Sequence, residues 1–387
     1  MKNFLKVILT IALVLSMVCS VQAAKKGKKE KITDPRLLKV MKLTKSPKDT
    51  QFLANGDQLK TSHRAGRGFD VTSNDEELWF AQPGNIGKNQ PGLTKIHETY
   101  IVRKKNGKRE FMTLRYFGGA DNLSIEKAED GDYVWIGSHG DKWAKKSHYY
   151  RTRAVSRFKF EPGKEINDGY AGETYYLGGA STARYMSCVV RPEEDILAVF
   201  TSNAGAMTIN IYSLSEARAL PDVELKVKTH WKGENVGEEE EYVVRRFKGK
   251  DLTSLDAKAS FVVEKKSKEN GGNPTKDPNF YTCRGIDVDK DYVYLVEGQH
   301  NKGKYVEEGP SKAFITVFDY AGRVVLEKRR IQAVSEKMLL SNMGITNTGY
   351  AEIFGFKMKG DNAYIGFSSY GPNSKGKNVH KAVVVKY

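Results

Sequence analysis

Arginine and acidic residues stand at matching points of several similar segments of this chain. The points are Arg67, Asp121, Arg184, Arg284 and Glu352, with Asn122 directly after the second of them. Arginine presents a planar fork of N–H donors that matches the oxygens of a carboxylate or a phosphate. Acidic side chains can move protons in a reaction. These residue types therefore predict a site for an anionic ligand, provided that the fold brings the points together.

Two polar segments that follow predicted strands each contain a histidine. His139 lies in SHGDKW and His300 lies in GQHN. The rings of Trp143, Tyr149 and Tyr150 are close by in the sequence and offer apolar faces on which a sugar ring could stack. Packing of these rings within the loops is the alternative. We include His139 and His300 among the predicted ligand-binding residues.

The familiar catalytic and metal-binding motifs are absent from the sequence. It contains no nucleophile elbow, no phosphate-binding glycine loop and no paired Cys-x-x-Cys. The seven histidines occur singly and never at a ligand spacing. The acidic run Asp287–Asp291 lacks the glycine and the glutamate that complete a calcium loop. We therefore predict no catalytic residue, no metal and no cofactor.

A hairpin pattern that could position these residues is repeated five times along the chain. Its clearest copy is YTCRGIDVDKDYVYLVEGQ, with alternating apolar segments at Cys283–Val288 and Tyr292–Glu297 around the polar turn Asp289–Asp291. Alternation bounded by turn residues is typical of a half-buried β-hairpin. The other copies are Arg67–Gly84, Asp121–Gly140, Ser187–Ser202 and Phe354–Ser369. Repetition of one supersecondary unit indicates a repeat architecture.

Each hairpin is followed by a third apolar segment. These are Thr99–Arg103, Val155–Phe160, Thr208–Tyr212, Ala313–Phe318 and Lys381–Lys386. The first and fourth continue through Asn106-Gly107 and Ala321-Gly322, whose glycines suit a hairpin turn, into Glu110–Tyr116 and Val324–Arg330. The pattern predicts an all-β fold, a five-bladed β-propeller of four-stranded antiparallel blades. A β-sandwich or jelly roll of similar strand content is the alternative.

The propeller explains why the charged points recur. The first strand of each blade lines the central channel, so the starts of the five first strands meet at one rim. Charged groups avoid interiors unless they are paired. One interpretation is therefore a structural ring of salt bridges that joins Arg67 or Arg284 to Asp121 or Glu352. The other is a ligand site that uses the same residues.

The first residues are typical of a secretory signal peptide. Lys2 and Lys6 flank the start of the apolar run Val7–Val18, and Val21-Gln22-Ala23 supplies the small-residue cleavage pattern. The run is shorter than the about 20 residues that span a membrane. We predict a signal peptide at 1–23 with cleavage near Ala23, a secreted or periplasmic protein and no transmembrane anchor.

The rest of the chain is predicted to form one domain. Residues 24–50 are basic and expected to be partly disordered, and residues 51–387 are expected to form the propeller. Part of 35–59 is expected to close the ring, because an open sheet edge is an aggregation hazard. The irregular region at about 222–279 is predicted to be an insertion, with Val243–Phe247 as the outer strand of the third blade. Cys188 and Cys283 are expected to be unbonded thiols, with a disulfide as the alternative.

Two of the repeats resemble a known family. Cys283–Val288 followed by Tyr292–Leu295, and Glu352-x-x-Gly355-Phe356 followed by Ala363–Phe367, resemble the five-bladed propellers of helveticin J-like bacteriocins. Propellers of teichoic-acid-associated extracellular proteins and some phage receptor-binding domains are similar. The resemblance extends over about 67–387, and Phe354 stands where the group has a second glutamate. It implies binding to a bacterial envelope polymer, with an antibacterial effect.

These observations predict a secreted, monomeric, non-catalytic propeller that binds a bacterial cell-surface glycan or an anionic envelope polymer. The alternative is a hydrolase or lyase of an anionic polysaccharide, in which Arg67 and Arg284 hold substrate carboxylates and Glu352, Asp121 or His139 moves the proton. The net charge of +16 suits a polyanionic partner. Nucleic acid is not predicted as that partner, because the lysines are dispersed among acidic residues and form no stripe.

Overall fold

The protein is a five-bladed β-propeller. The computed structural model describes residues 31–45, 51–55, 60, 65–72, 74–86, 97–115, 117–118, 121–140, 152–167, 172–178, 185–202, 205–231, 241–299, 311–335, 351–372 and 376–387. The described strands form five sheets, and each sheet contains four neighbouring strands that pair antiparallel. The predicted fold class is thereby confirmed. The predicted signal peptide lies outside the described residues.

Each blade begins with a strand beside the axis, and the following strands lie progressively further out. The first blade contains Gly68–Val71, Glu77–Ile86, His97–Lys105 and Lys108–Arg115. The second contains Ser124–Ala128, Gly131–Ser138, Ala154–Lys159 and Glu173–Tyr176, and the third Tyr185–Arg191, Ile196–Ser202, Ala206–Ser213 and Ala259–Glu264. The fourth contains Thr282–Val288, Tyr292–Gln299, Lys312–Asp319 and Val324–Arg330. The fifth contains Ala351–Lys359, Asn362–Pro372, Asn378–Lys386 and Gln51–Asn55.

The fifth blade closes the ring with strands from distant parts of the sequence. Gln51–Asn55 pairs antiparallel with Asn378–Lys386, from Gln51 opposite Lys386 to Asn55 opposite Val383. A strand from 35–59 was expected to close the ring, and this pairing confirms it. It covers a sheet edge that would otherwise present unpaired backbone groups to other chains.

Two blades carry additional strands. The short strand Glu165–Asn167 pairs in parallel with the outer edge of the first blade. Val223–Trp231 and Glu241–Asp251 form a hairpin that joins the outer strand of the second blade in parallel through Lys250 and Asp251. The outer strand of the third blade is therefore Ala259–Glu264, and the prediction of Val243–Phe247 for that position is wrong. The pairing of Glu241–Asp251 with its own hairpin partner accounts for the difference.

Helical turns occur only as short additions in the described part of the chain. They are the α-helices Pro35–Lys42 and Leu214–Ala219 and the 3₁₀ turns Pro192–Glu194, Leu252–Ser254, Lys268–Asn270 and Ala333–Ser335. In Pro35–Lys42, the carboxylate of Asp34 accepts from the backbone N–H of Arg36, which caps the first turn. Leu37 and Val40 of this helix are buried against the fourth and fifth blades. Within the described ranges, no helix combines the length and apolarity needed to cross a membrane.

The core lies between neighbouring blades. Five clusters of buried apolar side chains each join two adjacent sheets, and the largest includes the N-terminal helix. Trp79 lies between the first and second blades, Trp135 between the second and third, and Phe356 between the fourth and fifth. Burial of such side chains contributes about 1.5–3 kcal/mol each. Packing of this kind fixes the angle between blades, and hence the positions of the first strands at the axis.

Candidate functional site

The starts of the first strands of four blades, together with Phe200 of the third blade, meet in one pocket on the propeller axis, which we call the mouth. Its lining residues are Arg67, Asp121, Asn122, Phe200, Cys283, Arg284, Gly285, Glu352, Ile353 and Phe354. Five of the predicted site residues are therefore brought together, although up to 285 positions separate them in the sequence. Arg184 and His300, which were also predicted, lie outside the described residues.

One carboxylate holds two arginines at the mouth. Nη1 of Arg284 lies 2.5 Å from Oε1 of Glu352, and Nη1 of Arg67 lies 3.6 Å from the same oxygen. The side chains of Arg67 and Arg284 are 19% and 14% exposed, and that of Glu352 is 8% exposed. The ion pairs therefore join the first, fourth and fifth blades and still face solvent in part.

Asp121 adds a second acidic side chain to the mouth, and the pKa of its carboxyl is raised. Burial raises the pKa of this carboxyl above its ordinary value of 3.8. Arg67 and Arg284 oppose the rise, and the negative charge of Glu352 adds to it. One acidic group of the mouth thus retains its proton more readily than a carboxyl in water.

Asn122 supports the mouth from within the ring. Its backbone has a φ of 64°, in the left-handed region that asparagine tolerates better than most residues. Its side-chain Nδ2 donates to the carbonyl of Cys188 at 2.7 Å, and this links the second blade to the third. The side chain is buried. Asn122 therefore has a positioning contact, although the sequence predicted it as a ligand-binding residue.

Glycines narrow the axis directly beneath the mouth, and we call Gly68, Gly285 and Gly355 the waist. A Cβ atom on Gly285 would lie 2.9 Å from Cα of Gly355, and one on Gly68 would lie 2.8 Å from the backbone carbon of Asn122. Such distances are too short for any side chain. The backbones of adjacent first strands thus approach in a way that only glycine permits.

A buried ionic layer lies further along the axis, formed by Asp70, Arg191, Asp287 and Lys357; we call it the lower layer. Nη2 of Arg191 donates to Oδ2 of Asp287 and to the carbonyl of Met358, both at 2.5 Å. Nζ of Lys357 donates to the carbonyl of Leu123 at 2.7 Å. These charges are paired in the interior, as burial of ionised groups requires. The mouth is consequently a blind pocket and not the end of an open channel.

The sequence contains a signal for the lower layer. Gly68-Phe69-Asp70-Val71, Gly285-Ile286-Asp287-Val288 and Gly355-Phe356-Lys357-Met358 share one pattern, a glycine followed by apolar, charged and apolar residues. A charged residue at a repeated inward position of a first strand predicts a partner across the axis. Asp287 lies both in the predicted strand Cys283–Val288 and in the acidic run Asp287–Asp291, and neither feature by itself predicts a partner across the axis.

His139 is not among the residues that line the mouth. Its ring is buried at the end of the second strand of its blade, where Nδ1 lies 3.0 Å from Oγ of Ser138. The ring packs on Phe247 of the inserted hairpin, with 4.0 Å between centroids. The hairpin could not be placed over the second blade from the sequence, and this explains why His139 was expected at the ligand site.

The cysteines and potential metal ligands add no further centre. Cys188 and Cys283 lie on the first strands of the third and fourth blades and are not bonded to each other. Burial raises the pKa of the Cys188 thiol to about 12. Within the part of the chain that the structure describes, no three His, Cys, Asp or Glu side chains are grouped as a metal ion would require.

Comparison with known proteins finds similar structures but no similar sequence. No family model matches the chain, and no curated protein sequence matches it. The tail fiber of Staphylococcus aureus phage P68 is similar in structure, with 11% identity, a TM-score of 0.49, and coverage of 87% of this chain and 52% of that one. This chain therefore spans about half the length of the tail fiber chain.

A second structure, a subtype N11 neuraminidase-like protein of a flat-faced bat isolate from Peru (H18N11), has 10% identity and a TM-score of 0.38. The match covers 87% of this chain and 92% of that one. Likenesses at these values carry no argument about ligand or reaction. Membership of the helveticin J-like group stays a prediction.

Proposed function

We propose that the protein binds a bacterial cell-surface glycan or anionic envelope polymer at the mouth. The observation that carries the proposal is the pair Arg67 and Arg284, held by Glu352 in a partly exposed blind pocket on the axis. Arginine forks at such a position are suited to acidic groups. The signal-like first 23 residues support export, and the resemblance to helveticin J-like bacteriocins adds an antibacterial role to the proposal.

Binding without catalysis is the simpler function for this site. A structural ring would need only the ion pairs themselves, whereas a ligand site also needs access from solvent. The partial exposure of both arginines supplies that access. Because one propeller architecture hosts many unrelated functions, this proposal rests on the site and not on the fold.

Sedimentation of the purified protein with envelope preparations and with soluble acidic polysaccharides tests the proposal. We expect the wild type to bind, and Arg67→Ala/Arg284→Ala to lose at least tenfold in affinity, since each charged contact contributes about 1.5–3 kcal/mol. Arg246→Ala is the matched control, because Arg246 lies on the inserted hairpin and 63% of its side chain is exposed. Equal binding by all three proteins would show that the polymer does not bind at the mouth. Absence of wild-type binding to every polymer would reject the function.

A second candidate function is hydrolysis or elimination on an anionic polysaccharide. It is favoured by one observation, the carboxyl of Asp121 with a raised pKa in the same pocket as the arginine-paired Glu352. Two acidic groups in different environments are an arrangement used for acid and base steps. Release of products in the same sedimentation tubes, abolished by Asp121→Asn, would support the enzyme. Binding without products would support the first proposal.

A further inference from the structure

The charges of the mouth match an anion that carries one negative charge. Arg67 and Arg284 supply two positive charges, and Glu352 supplies one negative charge. Burial raises the pKa of Asp121, so this carboxyl ionises less readily than one in water, and it adds no charge in its protonated form. With Asp121 protonated, the sum is one positive charge, which a carboxylate or a phosphodiester would balance. A phosphate monoester carries about −1.5 to −2 at neutral pH and would be left partly uncompensated.

The shape of the mouth restricts the ligand further. The pocket contains about 340 Å³ of space, which includes space open to solvent, and only a small part of it would admit a water-sized group. The waist and the lower layer close the axis beneath it. A polymer therefore cannot thread through the ring. A phosphodiester has covalent arms on two sides, and both would have to fit the narrow pocket, whereas a carboxylate has a single attachment.

The hydrogen-bonding groups also suit a planar acid. Nη1 of Arg284 is engaged by Glu352, whereas its Nε is buried and has no hydrogen-bond partner among the described residues. A buried donor without an acceptor is destabilising, so an oxygen from a ligand would be favoured there. Phe200, Ile353 and Phe354 supply apolar wall to the same pocket. An aromatic wall beside an arginine fork suits a sugar that carries an acid, because C–H groups and oxygens both find partners.

We propose that the mouth accepts one carboxylate projecting from a sugar ring, as in a uronic acid, while the rest of the polymer stays outside the ring of blades. The proposal rests on the proposed function and names the ligand group of the same site. It implies that recognition depends on the acid substituent and not on the polymer backbone.

The decisive comparison uses one acidic polysaccharide before and after chemical reduction of its carboxyl groups. We expect the native polyuronate to bind and the reduced polymer to lose at least tenfold in affinity. Glucuronate, its methyl ester and glucose can each be titrated into the complex, with displacement of the bound polymer as the readout. Glucuronate should displace the polymer at much lower concentration than the other two. Arg284→Lys keeps the charge but removes the fork, so it should weaken polyuronate binding at least fivefold. Arg246→Ala should bind as the wild type does, and thermal melting confirms that each variant is folded.

The outcomes separate this inference from the function on which it rests. Equal binding of native and reduced polysaccharide would overturn the carboxylate inference and leave glycan binding intact. The inference would also be overturned if a polyol-phosphate polymer bound more tightly than polyuronate and if Arg284→Lys weakened that binding, which would place it at the mouth. Binding of an anionic polymer would then remain intact. Failure of every polymer to bind the wild type would reject both. The inference is supported if the wild type and Arg246→Ala both bind the native polymer and lose binding when its carboxyl groups are reduced. Arg284→Lys should bind even the native polymer only weakly.

Discussion

Nη1 of Arg284 and Oε1 of Glu352 lie 2.5 Å apart across the boundary between the fourth and fifth blades. Arg67 of the first blade approaches the same oxygen at 3.6 Å. The carboxylate therefore stabilises the ring and also occupies donors that an acidic ligand would use. Stability of the ligand-free protein and affinity for an anion are expected to oppose each other at this residue.

Glu352→Gln separates the two effects. Loss of the negative charge leaves two arginines without their shared partner, so the free energy of unfolding should fall by about 1–3 kcal/mol. Affinity for polyuronate should rise at least about tenfold, because like charges placed together at an interface cost several kcal/mol. Thermal melting and calorimetric titration measure the two quantities. A fall in affinity would show that Glu352 contacts the ligand directly.

Asp121 should make binding dependent on pH. Its pKa lies above the ordinary 3.8, chiefly through burial. As pH rises through that raised pKa, the proton leaves and a negative charge appears beside Arg67 and Arg284. At pH values where the ligand carboxyl is ionised, affinity should therefore fall as pH increases through the raised pKa of Asp121. Asp121→Asn cannot ionise and should keep its affinity at high pH; if wild type and variant show identical pH profiles, the assignment of the titration to Asp121 is wrong.

Arg191 and Asp287 should matter for stability but not for binding. Arg191→Met leaves Asp287 buried without its main partner, and removal of one member of a buried pair costs about 3–5 kcal/mol. Arg191→Met/Asp287→Leu removes both charges and should recover part of that loss. Denaturant titration measures the stabilities, and sedimentation measures binding by the folded variants. A double variant less stable than the single one would show that Asp287 also stabilises Lys357, whose Nζ lies 3.9 Å from Oδ1 of Asp287.

Gly285→Ala tests the waist. The added Cβ would lie 2.9 Å from Cα of Gly355, so the two backbones must separate, and we expect a loss of about 1–3 kcal/mol in the free energy of unfolding. Gly172→Ala is the control, because its nearest neighbour would be the carbonyl oxygen of Arg157 at 3.3 Å. That control should change stability by at most about 0.5 kcal/mol. Equal effects of the two substitutions would contradict the close approach at the axis.

The sequence allowed the blades and the mouth to be predicted for a common reason. Strand alternation is local, and the turns at Asn106-Gly107 and Ala321-Gly322 are local too, so hairpins can be recognised without tertiary information. Once five hairpins define a propeller, the starts of the first strands must converge. Arg67, Arg284 and Glu352 were thus found together from the repeat alone.

Contacts made by inserted segments could not be predicted in this way. Phe247 packs on His139 because a hairpin inserted between the third and fourth strands of the third blade returns to the second blade, and no periodicity specifies that return. Val243–Phe247, which was predicted as the outer strand of the third blade, belongs to the same inserted hairpin. The waist was also missed, because a glycine in a strand can indicate a bulge or a close backbone approach, and only the facing backbone distinguishes them.

Pairing of Gln51–Asn55 with Asn378–Lys386 has a consequence for the order in which the chain folds. The first strand of the domain has no partner until the last strand has formed, so ring closure is a late event of high contact order. Until then the open edge of Asn378–Lys386 is a template on which the same strand of another molecule could pair. Refolding is therefore a competition between intramolecular closure, which does not depend on concentration, and exchange of strands between molecules, which does.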